Sequence, residues 1–82
     1  MIFEADRKHL LVGYKQTMKA IAQNRAQKVY IARDSEERIF SSLVTEATEK
    51  GCEIIYTDTM SELGKLSGID KGASCAVVTG QA

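Results

Sequence analysis

Leu10-Leu11-Val12-Gly13-Tyr14-Lys15-Gln16-Thr17-Met18-Lys19 is an apolar run, a glycine and the start of a helical pattern in direct succession. The run reads as a short strand. The glycine offers a backbone conformation that other residues adopt only at a cost. Tyr14, Met18 and Ile21 then recur at i, i+4 and i+7, an apolar stripe suited to packing on a core. Lys15 and Lys19, four apart, share another face of the same helix. Free N–H groups and the helix dipole attract anions at a helix N-terminus, so the stretch reads as a phosphate-facing surface. The same two lysines fit an ordinary solvated helix face equally well.

Outward from this stretch, strand and helix patterns alternate. Met1 to Arg7 is short and mixed, readable as a turn of helix that lays Ile2 and Phe3 on the core. The first full helix is expected over Tyr14 to Asn24. Val29-Tyr30-Ile31 makes Lys28 to Ala32 a buried strand. Asp34 and Glu37 have capping-box spacing before a helix whose apolar face is Ile39, Leu43 and Ala47. Lys50-Gly51 closes that helix in the usual way. Cys52 to Tyr56 is the next strand. Thr59-Met60-Ser61-Glu62 is a capping box for a short helix with Met60, Leu63 and Leu66 inward. Gly64 inside it weakens the helix by about 1 kcal/mol relative to alanine, which implies the close approach of another backbone. Gly68 ends the helix, and Ala73 to Thr79 is a small-residue apolar strand. The alternation argues an α/β domain with helices on both faces of a central sheet.

Eighty-two residues, 44% hydrophobic and 27% charged, suit one small domain over residues 1–82. No apolar run approaches the roughly 20 residues of a membrane span. Met1 to Lys8 carries charges where a signal peptide would need an apolar core, which predicts a cytoplasmic protein. The zero net charge hides an asymmetry. Met1 to Arg33 holds seven basic residues and two acids, and the remainder four basic residues and nine acids. A basic surface in the first half suits a polyanionic partner. Cys52 and Cys75 are isolated, without a C-x-x-C or a Cys/His cluster, and read as reduced, buried hydrophobes. His9, the only histidine, advertises no partners for a triad or a zinc site. Neither a phosphate-binding G-x-x-x-x-G-K-[ST] nor a G-x-G-x-x-G is present, so no cofactor, metal or catalysis is expected.

Two loops carry suggestive chemistry, the turn at Gly13 and the loop Ile69-Asp70-Lys71-Gly72. Side by side they would form a rim of Lys15, Gln16, Lys19 and Lys71 around an apolar Ile69. Lysine can hold phosphate, glutamine can pair with a base edge, and an aliphatic side chain can pack on an unstacked base. Ile69 fits equally a capping contact back onto its own helix, since it follows a glycine stop.

Three segments together, Gly13-Tyr14-Lys15-Gln16-Thr17-Met18-Lys19-Ala20-Ile21, Lys28-Val29-Tyr30-Ile31-Ala32-Arg33-Asp34 and Leu63-Gly64-Lys65-Leu66-Ser67-Gly68-Ile69, resemble the kink-turn RNA-binding ribosomal proteins of the L-seven-Ae family, in their small bacterial form. The resemblance implies a three-layer α/β/α sandwich with a mixed four-stranded central sheet. It implies non-catalytic binding to a kink-turn, a sharply bent RNA internal loop with tandem sheared G·A pairs. Gly13, Tyr14, Lys15, Gln16 and Lys19 would face the RNA at the kink. Ile69, Asp70, Lys71 and Gly72 would form a loop covering an unstacked nucleotide, with Lys28 and Arg33 reaching the backbone. Archaeal and eukaryotic members usually carry Asn-Glu where this chain has Lys15-Gln16, so a neutral amide stands in for an acceptor anion. The partners implied are structured RNA, ribosomal or riboswitch-like, and the ribosome, rather than DNA or a membrane. A monomer is expected, because no heptad pattern is present. The alternative is a protein-interaction module of the same fold that does not bind RNA.

Overall fold

Val29, Tyr30, Ile31 and Ala32 are all buried, so their strand, β2 (Ala26–Ala32), carries apolar side chains on both faces. It lies inside a four-stranded sheet with β1 (Leu10–Val12), β3 (Glu53–Thr57) and β4 (Cys75–Thr79), in the order β1-β4-β2-β3. β4 runs antiparallel to both β1 and β2, while β2 and β3 are parallel. The sheet is therefore mixed, as the resemblance implies. The computed structural model describes residues 8–69 and 71–80; the expected helical turn with Ile2 and Phe3 lies outside them.

Side chains alternate across the sheet, as the strand period requires. Val29, Ile31, Cys75 and Val77 meet Ala20 and Ile21 of α1 (Tyr14–Ala22) and Leu43 and Ala47 of α2 (Glu37–Glu49). Tyr30, Ala32, Ala76 and Val78 meet Leu63 of α3 (Met60–Leu66) on the opposite face. Helices thus cover both faces, and the α/β/α layering holds. Leu43 and Leu63 are fully buried, one in each layer, and burial of each stabilises by about 1.5–3 kcal/mol.

Each helix ends in a pair of return hydrogen bonds onto its last turn. The N–H groups of Arg25, Cys52 and Ile69 donate to the carbonyls of Ala20, Ala47 and Gly64 at 2.9–3.0 Å. Such an ending needs a left-handed residue one position earlier, and Asn24 supplies it for α1 with φ 59°. This stops α1 at Ala22, two residues short of the expected end, and β2 starts earlier than expected, at Ala26. β4 begins at Cys75 rather than Ala73.

Two local readings are corrected. Tyr14 does not belong to the buried stripe of α1; that face is Thr17, Ala20 and Ile21, with Met18 half-buried, and Tyr14 is 36% exposed. Thr17 can be buried because its hydroxyl donates back to the Gly13 carbonyl at 2.8 Å. Asp34 does not cap α2. The N-cap there is Glu36, without a side-chain bond, because the chain turns once more through Ser35 before the helix starts. The Asp34 carboxylate instead accepts the N–H of Met60 at 2.7 Å, at the start of α3. The Thr59 cap stands as expected, its hydroxyl accepting the Glu62 N–H at 3.0 Å.

Gly64 meets the backbone approach that its place in a helix implies. A Cβ there would run into the carbonyl oxygen of Lys71 and stand 3.2 Å from Cα of Gly72. Gly64→Ala gains about 1 kcal/mol in helix propensity but forces the loop away, a strain of about 1–3 kcal/mol. Urea unfolding is expected to register a net loss. A more stable variant would show that the loop yields freely.

Candidate nucleic-acid interface

Gly13 has φ 114° and ψ 157°, a region essentially reserved for glycine. Its N–H donates to the Cys75 carbonyl at 3.0 Å, and its own carbonyl accepts the Thr17 N–H at 3.0 Å. One residue thus completes the sheet edge and starts the helix. Nothing lies within 4 Å of the place a Cβ would occupy, so backbone conformation rather than space selects glycine.

The same end of the sheet gathers the other loops. The Ala32 N–H donates to the Ser74 carbonyl at 2.9 Å, and the Arg33 N–H to the Thr57 carbonyl at 2.8 Å. The turn at Gly13, the loop leading to β4 and the turn after β2 are therefore stitched side by side. Neighbouring strands lie about 4.8 Å apart, which puts Gly13 and Arg33, two strands apart, about 10 Å from each other. Lys15, Gln16, Lys19, Arg33, Ile69, Lys71 and Gly72 are all exposed, as is Tyr14. Gly72 packs under Met60, and the Ala73 N–H donates to the Met60 carbonyl at 2.9 Å. The loop before β4 is held by backbone contacts while the side chains of Ile69 and Lys71 are exposed.

The helix starts differ. α3 has a Thr59 cap, an Asp34 acceptor and an acid, Glu62, in its first turn. α2 has Glu37 in its first turn. α1 has neither a side-chain cap nor an acid there, and Lys15 stands at its second position. Of the described helices, its N-terminus is the one left open to an external anion.

The backbone N–H of Ile69 returns to its helix while its side chain stays 38% exposed. Lys28 is not brought to the rim. It pairs with Glu53 and Val78 in the sheet, four residues back along β2 from Ala32. Asp70 lies outside the described residues. Sequence reasoning missed Tyr56, whose ring lies 4.6 Å from the Arg33 guanidinium and stacks on Phe40 at 5.8 Å. Its alternation with Ile54 along β3 put it on the face of α2, but nothing local pointed to Arg33.

Both cysteines are free, Cys75 buried and Cys52 partly so. Burial pushes both thiols above their ordinary pKa; beside Cys75 the Thr17 hydroxyl and a hydrogen bond from Ser74 oppose this, and beside Cys52 the Lys50 charge does. A thiol so shifted stays protonated at neutral pH and is a poor nucleophile. Among the described residues no group of His, Cys, Asp and Glu could hold a metal ion, and no helix is long and apolar enough to cross a membrane.

The profile of the ribosomal protein L7Ae/L30e/S12e/Gadd45 family matches residues 3–82. The chain is 47% identical over 66 residues to an RNA-binding protein of Caldanaerobacter subterraneus subsp. tengcongensis, covering 80% of either chain. It is 39% identical over 67 residues to large ribosomal subunit protein eL8 of Halobacterium salinarum, covering 80% of this chain and 56% of that one. Among solved structures, the 15.5 kD RNA binding protein of Giardia lamblia aligns with a TM-score of 0.82 at 19% identity, over 90% of this chain and 62% of that one. At that identity the likeness is one of fold.

Gly13→Ala places a Cβ on a backbone that disfavours it and meets no clash. Its expected cost is about 1–3 kcal/mol of unfolding free energy. A urea midpoint equal to the parent's would mean that the turn relaxes to ordinary φ without loss.

Proposed function

The chain belongs to the ribosomal protein L7Ae/L30e/S12e/Gadd45 family, and on that premise we propose that it is a non-catalytic protein that binds structured RNA at kink-turns. One observation carries the reading. The uncapped, acid-free start of α1 lies at the sheet end where the loop carrying the exposed Ile69 and Lys71 leads into β4. A kink-turn offers complementary chemistry, crowded phosphates beside exposed base edges and an unstacked nucleotide.

On this reading the N–H groups that open α1 and the ammonium groups of Lys15 and Lys19 take phosphates. Gln16 has an amide that both donates and accepts, so it reads base edges without placing an anion near the RNA. The side chain of Ile69 covers the unstacked nucleotide, Lys71 and Gly72 line that contact beside Asp70, and Tyr14 supplies a ring at the helix start. Arg33 extends the cationic edge, and Lys28 makes at most a peripheral backbone contact. The protein acts as a cytoplasmic monomer with residues 1–82 as one RNA-binding domain, and it associates with the ribosome through its RNA.

The test compares a kink-turn RNA with a straight duplex of equal length across a salt series. Preference for the kink-turn and a steep fall with salt are expected. Lys19→Ala is expected to lower the salt slope by about one unit while changing stability by less than about 0.5 kcal/mol. Equal affinity for both RNAs would remove kink-turn recognition. A partner that is a protein and holds at high salt would support the interaction-module alternative.

A further inference from the structure

Arg33, Tyr56 and Phe40 form a continuous stack at the rim. The guanidinium carbon of Arg33 lies 4.6 Å from the Tyr56 ring centroid. The Tyr56 ring in turn lies 5.8 Å from Phe40 with 26° between planes. Phe40 is half-buried against the core and Tyr56 is 39% exposed. The stack is thus anchored in the interior at one end and open to solvent at the other. The Arg33 N–H bond to Thr57 fixes its backbone beside Tyr56.

Arg33 stands among carboxylates that would ordinarily attract it. Asp34, Glu36 and Glu37 all follow within four residues. Yet the Asp34 Oδ1 accepts the Met60 N–H, Glu36 lies 3.9 Å from Arg38, and no carboxylate pairs with Arg33 among the described residues. An aromatic face holds a guanidinium without neutralising it. A guanidinium lying over a ring leaves N–H donors free to meet a phosphate.

We propose that Tyr56 is a positioning residue for RNA binding: it holds Arg33 off its neighbouring carboxylates and presents it to an RNA phosphate, extending the interface to the β3 edge of the sheet. The inference rests on the RNA-binding reading above. Without the ring, Arg33 falls onto Asp34, Glu36 or Glu37, and its charge is lost to the RNA.

The experiment measures affinity of the full chain for a kink-turn RNA over a salt series, for Arg33→Ala, Tyr56→Leu, Tyr56→Phe and the Arg33→Ala/Tyr56→Leu double variant. Tyr56→Ile, suited to a strand, is measured beside Tyr56→Leu so that a fold defect in one does not decide the result, with urea midpoints as the check. Arg33→Ala and Tyr56→Leu are each expected to weaken binding about threefold to tenfold and to lower the salt slope by about one. The double variant is expected to bind no more weakly than Arg33→Ala, and Tyr56→Phe to bind as the parent does. In the free protein, the Arg33 side-chain protons are expected to show a ring-current upfield shift that survives in Tyr56→Phe and disappears in Tyr56→Leu. Additive losses, or full affinity in Tyr56→Leu where Arg33→Ala binds weakly, would overturn the positioning role. So would full affinity in Arg33→Ala. A parent protein that binds no RNA overturns the RNA-binding reading and this role with it, and the ring-current shift then reports on the stack alone.

Discussion

The last strand in the sequence sits between the first two, and the rest of the structure depends on that insertion. All five residues of β4 are buried. The strand pairs with β1 on one side and β2 on the other. The carbonyls of Ser74 and Cys75, at its entrance, accept from Ala32 and Gly13. These bonds join residues 42 and 62 positions apart, so loop-closure entropy opposes them until the core forms. The rim is therefore a product of tertiary closure. Before β4 docks, the turn at Gly13 lacks the acceptor that fixes it, and the loop that carries Ile69 and Lys71 is not yet tied to this end of the sheet.

What β4 brings together, α3 makes rigid. Gly64 admits the Lys71 carbonyl, Gly72 lies under Met60, the Ala73 N–H bonds the Met60 carbonyl and the Met60 N–H bonds Asp34. Backbone groups, rather than mobile side chains, make most of these ties, and they run from the turn after β2 through α3 into the loop before β4. A ligand meeting such a rim orders side chains without also ordering loops, which lowers the entropic cost of association. The short length of α3 is consistent with this role: its value to the fold lies in what it clamps as much as in Leu63 beneath it.

Features with a local cause were legible in the sequence, and features with a distant cause were not. The helix stops at Lys50-Gly51 and Gly68, the Thr59 cap and the special turn at Gly13 follow from neighbours within a few residues, and the structure has them. Gly64 was legible as an anomaly, a helix glycine that needed a reason. Tyr14 was misplaced because a four-residue period fits the stripe wherever the helix is rotated; the buried face is centred on Thr17, whose hydroxyl is satisfied locally. Asp34 was misread because capping spacing is a local rule, while the N–H it accepts lies 26 residues away. The Arg33–Tyr56 stack joins the turn after β2 to β3 and left no local pattern. The mixed character of the sheet came from the family resemblance rather than from periodicity, and the strand order β1-β4-β2-β3 was legible in neither.

The charge layout completes the argument for recognition by position rather than by bulk attraction. Lys15, Lys19, Arg33 and Lys71 are exposed, and so are Asp34, Glu36, Glu37 and Asp58 at or just before the starts of α2 and α3. The zero net charge leaves little long-range pull on a polyanion, and screening over about 10 Å at ordinary salt removes much of the rest. A protein of this kind gains little from a featureless duplex, because the acids that flank its cations would come against the same phosphates. It gains most from a ligand whose shape lets the open end of α1 and the Ile69 loop engage together while the acidic starts of α2 and α3 stay in water. Under the kink-turn proposal, a bent RNA is expected to meet that requirement and a straight one is not. On the proposed reading, Gln16 fits the same logic: a carboxylate there would sharpen the pairing with guanine donors but add another anion at the rim's most exposed helix start, whereas an amide keeps the hydrogen bond and leaves the local field positive.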